Sequence, residues 1–290
     1  MPNIKQIELA HSPDADDIFM YYAIKFGWVE TKDYEFSNIA LDIETLNEDA
    51  MAGIYDVTAI SFGMYPFIKN EYAMLRTAIS FGDGYGPKLI KRKDKKLKRN
   101  FRVALSGEYT TNAMLFKIYY PDARPVYMDF LEIEMAVVNG EVDAGVLIHE
   151  SILDFDESLE VEKELWDIWV ELAGEGLPLP LGGMAIRRSI PLNQAIDIEN
   201  ILIDGVKVAN AKKEELCTRL EDENLVRISS EMLTKYLDMY ASDESVELSK
   251  LQLKALDKLY EIGYKKGVFF QPMKTEEYLI PREYEALRNS

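Results

Sequence analysis

The hydrophobic and polar positions divide this chain into two regions. Through about residue 188, short apolar runs of strand length alternate with stretches whose apolar residues recur at helical spacing. Strands are predicted over residues 4–10, 36–43, 57–60, 75–80, 101–105, 125–128, 145–148 and 184–188, and helices over 18–26, 113–119, 131–138 and 159–173. Asp14 stands where the first of these helices needs an N-cap, with Asp16 and Asp17 favoured in its first turn by the helix dipole. The same acidic cluster also suits a clamp on a substrate hydroxyl or a cation site. Thr45-Leu46-Asn47-Glu48 has the form of a capping box opening a helix that Gly53 closes. Pro178 and Pro180 argue against a helix and against a central strand over residues 176–183, so that stretch reads as a rigid apolar loop. Beyond Ile198 the alternation stops. Helical stretches over 198–220, 230–240 and 246–266 follow, the last with an apolar stripe through Leu251, Leu253, Leu256, Leu259 and Ile262, and the polar tail 278–290 is expected to dock loosely.

Strand–helix alternation of this kind predicts an α/β fold. An interruption near residues 90–100 and a return near 177–188 suggest two lobes joined by two strands. Residues 1–95 and 185–290 would form the large lobe, and residues 96–184 an inserted smaller one. Such lobes hinge about their connections, and ligands favour the cleft between them. Several polar residues fall at the strand and helix ends that would face this cleft. Ser61 ends the third strand. Thr110 and Thr111 follow a glycine turn at a helix N-terminus, where free N–H groups make an anion receptor and a threonine also serves as a cap. His149 follows the apolar run 145–148 and suits proton transfer at neutral pH, although a histidine with apolar flanks is also a common structural residue. Pro180 and Leu181 lie in the loop that either lines the pocket or crosses between lobes. The glycines at 82, 84 and 86 are spaced as in phosphate-binding loops, but no helix follows them, so residues 81–87 read as a turn.

Composition narrows the function. At 290 residues and 48% hydrophobic, the chain can bury a substantial core. A net charge of −18 disfavours nucleic acid and anionic membrane surfaces as partners. The seven basic residues from Lys91 to Arg99 read as a solvated turn at a domain crossing. With Cys217 as the single cysteine there is no internal disulfide. With only His11 and His149, a zinc site would need both histidines plus carboxylates. The start of the chain carries no secretory pattern and no window approaches a membrane span, so a cytoplasmic location is expected.

Taken together, His11-Ser12-Pro13 with Asp16 and Asp17, Ser61, Thr110-Thr111, Ile148-His149-Glu150-Ser151 and residues 176–182 resemble the 1,4-dihydroxy-6-naphthoate synthase family of the futalosine route to menaquinone. The resemblance covers residues 4 to about 190; the C-terminal helices share only a general character. It implies a two-lobed fold similar to type 2 periplasmic binding proteins, with a central cleft and extra C-terminal helices. It also implies a lyase that converts cyclic dehypoxanthine futalosine to the naphthoate by base-initiated carbon–carbon cleavage. By the same resemblance His149 is the base, and Ser61, Thr110, Thr111, Asp16 and Asp17 contact the substrate, together with Pro180 and Leu181. A small-molecule carboxylate is the implied partner. No metal or organic cofactor is implied, and the oligomeric state is left open. The alternatives are a solute-binding protein of a transporter and the sister enzyme chorismate dehydratase, in which the His149 motif and the double Leu-Pro loop would be unexpected.

Overall fold

The computed structural model describes residues 4–226, 228–240 and 243–283. The chain opens with β1 (Lys5–Ile7), β2 (Leu9–His11), α1 (Ala15–Lys25), β3 (Tyr34–Phe36) and β4 (Ile39–Ala40). α2 (Ile43–Ala52), β5 (Val57–Ser61), α3 (Tyr65–Ile68), β6 (Tyr72–Met74) and β7 (Ser80–Gly82) follow. After a short crossing come β8 (Lys88–Arg92), β9 (Arg102–Leu105), α4 (Thr111–Tyr119), β10 (Arg124–Tyr127), α5 (Ile133–Val138), β11 (Ala144–Leu147), β12 (Leu159–Glu164) and α6 (Leu165–Ala173). The chain then returns through β13 (Leu179–Arg187) and ends in α7 (Leu192–Ala211), α8 (Lys213–Asp222), α9 (Ser230–Tyr240) and α10 (Lys250–Lys265).

Two sheets result. The first has the order β4-β2-β5-β13-β6, with β7 also paired to β13, and the second has the order β10-β9-β11-β8-β12. β5 and β11 are buried along their whole length, as their uninterrupted apolar runs require when helices cover both faces of a sheet. Each lobe closes over its own apolar interior, around Leu9, Phe19, Ile60 and Tyr72 in one and Leu89, Val103, Ile133 and Trp169 in the other.

The boundary between the sheets lies elsewhere than the composition suggests. β8, which carries the first two residues of the basic run, pairs with β11 and β12 in the second sheet, and β13 belongs to the first. The crossings are therefore residues 83–87 and 174–178, not the charged turn after β8 and not residues 177–188. The glycine-rich turn is itself a crossing, and close packing accounts for two of its glycines: a Cβ at Gly82 would sit 2.2 Å from the Tyr85 carbonyl, and one at Gly86 2.9 Å from Leu179, while Gly84 has a left-handed φ of 79°. The expected boundaries at 95 and 185 move accordingly.

Other elements also differ from expectation. Residues 159–164 form a strand, because Leu159 points inward while Glu160 and Glu162 pair with the buried Lys91 of β8 at a charged sheet edge. β13 is central despite its proline. Pro180 pairs only toward β7, at a register shift, and pairing with β5 starts at Gly182. A bulge of this kind spares the ladder the missing N–H. α2 begins three residues earlier than expected: Asp42 accepts the N–H groups of Glu44 and Thr45, so Thr45 is an interior residue and not the cap. The strand expected over 75–80 is mostly a connection: β6 ends before it at Met74, and β7 begins only at Ser80. In the tail, Met74 bridges Leu279 and Ile280 is buried, so the part through residue 280 is docked firmly, and 284–290 lie outside the described residues. No helix among the described residues is long and apolar enough to cross a membrane.

Candidate active site

A cavity of about 90 Å³ lies between the two sheets, where the carboxyl ends of β2, β5 and β11 meet the N-terminus of α4. His149 follows β11 after one residue, Ile148, and opens a single 3₁₀ turn, His149–Ile152. Its backbone is left-handed, with φ of 54°, a conformation that costs a non-glycine residue free energy and is concentrated at functional sites. The twist sends the ring back over the cavity, against the edge of Phe130, with ring centroids 4.9 Å apart.

The two ring nitrogens of His149 are differently placed. Nδ1 lies 2.5 Å from Oδ2 of Asp14, a buried carboxylate on the loop after β2, while Nε2 has no partner. This carboxylate–imidazole pair fixes the tautomer: Nδ1 carries the proton toward Asp14 and Nε2 is left as a lone-pair base. Burial alone would lower the His149 pKa, but the Asp14 charge and hydrogen bond outweigh it and the net shift is upward. Asp14 is held well below the usual carboxylate range, since the His149 charge and hydrogen bonds overcome the cost of its burial. Asp14 thus has the N-cap position of α1 without the capping bond. Its side chain is committed across the cleft.

Asp16 and Asp17 complete the cluster. The Asp17 carboxylate accepts the Ser12 N–H at 2.8 Å, and the buried Tyr236 hydroxyl of α9 donates to Asp16 Oδ1 at 3.1 Å. Two ionised carboxylates ~4 Å apart repel by about 4 kcal/mol at an effective dielectric constant of ~20, so three in one buried site cannot all ionise. Burial, followed by the Asp14 and Asp17 charges, drives Asp16 well above the usual range, and burial with the Asp14 charge pushes Asp17 up to about 8. Asp14, Asp16 and His149 offer atoms within 4.8 Å of one another, close enough to surround a cation. However, Nδ1 already holds Asp14 at hydrogen-bond distance, which is the geometry of an acid–base pair rather than of a ligand set. His11 is bonded on both ring nitrogens, to the Ser12 carbonyl and to Asn38, away from His149, so the two histidines do not meet at one site.

Ser61 lies opposite. Its N–H donates to Asn47 Oδ1 at 2.9 Å and its Oγ accepts from Asn47 Nδ2 at 3.1 Å, which leaves the hydroxyl proton for a ligand. Thr110 caps α4: its Oγ1 accepts the Ala113 N–H and donates to the Gly107 carbonyl. Thr111 Oγ1 accepts the Gly63 N–H at 2.8 Å and donates to the Leu181 carbonyl at 2.7 Å, and both partners come from the other lobe. Both threonines line the cavity, but their hydroxyls are already engaged, so α4 offers an anion its first-turn N–H groups instead. Asp16, Asp17, Ser61 and Leu181 also line the cavity, whereas Pro180 does not. Sequence reasoning missed Asn47, Asn112, Tyr236 and Tyr240. The asparagines lie within helices and the tyrosines on α9, and only the folded chain brings them here.

The menaquinone biosynthesis family model matches residues 7–265. The chain belongs to the menaquinone biosynthesis family. It is 28% identical over 266 residues to the 1,4-dihydroxy-6-naphthoate synthase of Thermus thermophilus, covering 91% of this chain and 96% of that one. The enzyme of the same name from Streptomyces coelicolor is 31% identical over 194 residues, which span 63% of this chain and 67% of the relative. Among solved structures, protein AF1704 of Archaeoglobus fulgidus superimposes with a TM-score of 0.84 at 36% identity, covering 91% of this chain and 98% of the other. The alkanesulfonate-binding protein SsuA of Xanthomonas axonopodis superimposes with a TM-score of 0.67 at 12% identity, over 94% of this chain and 97% of its own. The second likeness shows the fold alone: two lobes of the periplasmic-binding-protein type.

Proposed function

We propose that this chain is a 1,4-dihydroxy-6-naphthoate synthase, a lyase acting on cyclic dehypoxanthine futalosine. The observation that carries the reading is the His149 ring, tethered by Asp14 at Nδ1, buried without a partner at Nε2 and lining the interlobe cavity, in a chain of this family. In this mechanism Nε2 takes a proton from the bound substrate. The electron pair released breaks a carbon–carbon bond, a sugar-derived fragment departs, and the bicyclic product becomes aromatic. Asp14 stabilises the imidazolium that forms. The first-turn N–H groups of α4 receive the substrate carboxylate, which is their role in a protein whose overall charge repels anions. The Ser61 hydroxyl, held by Asn47, donates a further hydrogen bond. Ligand pockets typically measure roughly 300–1,000 Å³, so a cavity of about 90 Å³ is that of closed lobes, and the lobes part to admit substrate. A biosynthetic role on a small carboxylate supports a cytoplasmic location, which cell fractionation checks.

The direct test incubates the purified protein with cyclic dehypoxanthine futalosine and follows the naphthoate by mass spectrometry. His149→Ala should keep its fold and lose ~10²–10⁴-fold in turnover, the usual contribution of a general base. No product from the wild-type protein, or near-normal turnover in the variant, overturns the reading.

A further inference from the structure

Asp14 Oδ2 is occupied by His149, but Asp14 Oδ1 is buried without a hydrogen-bond partner, an arrangement that costs free energy unless a donor is present. Asp16 stands beside it, 4% exposed, with Oδ1 already receiving the Tyr236 hydroxyl. As an ionised group Asp16 could offer Asp14 only repulsion. As a neutral acid its other oxygen becomes a donor, and both oxygens of Asp14 are then satisfied, one by His149 and one by Asp16. We propose that Asp16 is an un-ionised carboxylic acid in the resting protein and donates its proton to Asp14, making it a positioning residue for the His149 base.

The consequence for catalysis follows from charge. An Asp14 that receives this bond is a weaker base toward His149. Nε2 then gives up its proton at lower pH than it would beside two ionised carboxylates, which leaves the base available over more of the physiological range. The groups facing Asp16 are Asp14 and Asp17 on its own segment, His149 and Glu150 across the cleft, and Tyr236 and Tyr240 on α9. Burial and the Asp14 and Asp17 charges all oppose its ionisation. Ser12, whose hydroxyl also lies near Asp14, is the rival donor. This inference rests on the proposed role of His149 only for its effect on rate. The protonation state of Asp16 stands apart from it.

Two measurements test it, one free of substrate. In the infrared spectrum of the full-length protein near neutral pH, carbonyl stretches of buried carboxylic acids should be present, and Asp16→Asn should remove a component distinct from the one that Asp17→Asn removes. The chain has only two histidines, so ¹⁵N-histidine labelling resolves both imidazoles. The His149 titration should move to higher pH in Asp16→Ala and stay near its wild-type position in Asp16→Asn, whose amide supplies the same donor to Asp14. In turnover, Asp16→Ala should lose roughly 10- to 100-fold, the factor that corresponds to one unmade buried hydrogen bond, and Asp16→Asn should recover most of it. An infrared spectrum unchanged by Asp16→Asn overturns the proposal, as does a His149 titration that responds alike to both variants. Failure to turn over the futalosine derivative, with the infrared and titration results intact, would count against the enzyme reading alone.

Discussion

At the scale of single residues, the site depends on a contact that local sequence does not announce. Asp14 has the position and neighbours of a helix cap, and short-range rules assign it that duty. Folding takes its carboxylate to the imidazole of a residue far along the chain. Asp14→Asn keeps the shape but turns an acceptor into a group that can present an N–H to Nδ1, which favours the wrong tautomer. Turnover should fall by ~10²–10⁴-fold. The sign of the pH effect follows from the raised His149 pKa. The base works deprotonated, so wild-type kcat/KM should rise with pH through a value above the ordinary 6.5. Without the Asp14 charge that limb should move to lower pH, and a limb that does not move would remove Asp14 from the mechanism. His149 and Ser61 could be placed at the cleft from sequence, because each ends or follows a periodic segment, whereas Asp16, Asp17 and Leu181 were assigned to it by the family resemblance. The engaged hydroxyls of Thr110 and Thr111 could not, because their partners Gly63 and Leu181 belong to the other lobe.

At the scale of elements, long apolar runs such as those of β5 and β11 were legible, since burial on both faces leaves no alternative to a hydrophobic strand. Short mixed segments were not. The helical reading of 159–164 lost to the edge of the second sheet, where Lys91 is the partner of the acidic side chains. Pro180 was excluded from a central strand by a sound rule, which a register shift satisfies without loss. The C-terminal helices were legible as helices, but their docking was not. One buried ion pair fastens α7. Glu199 accepts the Arg76 backbone N–H at 2.8 Å and its guanidinium at 2.9 Å, and its side chain is only 6% exposed. Glu199→Ala leaves Arg76 buried without a counter-charge and should cost about 3–5 kcal/mol. Urea unfolding checks this, and a loss below ~1 kcal/mol, the level of a surface pair, would show that the site is wet.

At the scale of the whole molecule, the closed cleft is held by a few polar bonds between lobes. Besides Thr111, the Glu44 carboxylate of α2 reaches across to the loop before α4, where it accepts the N–H groups of Glu108 at 2.5 Å and Tyr109 at 3.1 Å. It stays there although burial raises its pKa. A pair of bonds of this kind contributes a few kcal/mol at most, the range in which a hinge remains reversible. Glu44→Ala should shift the ligand-free protein toward open lobes. It should increase the radius of gyration in solution scattering and raise KM more than it lowers kcat. Unchanged scattering together with unchanged KM would leave the latch without a role. Periodicity and punctuation alone determined that this chain alternates strands with helices, changes character near residue 190, and carries a histidine at the end of a buried strand, because those features are written in the order of neighbouring residues. Tertiary structure alone decided where the lobes cross, which carboxylate holds the imidazole, and which hydroxyls remain free. Each of those is a meeting of groups distant in the chain, and burial, charge and hydrogen-bond geometry choose among partners only after the chain has folded.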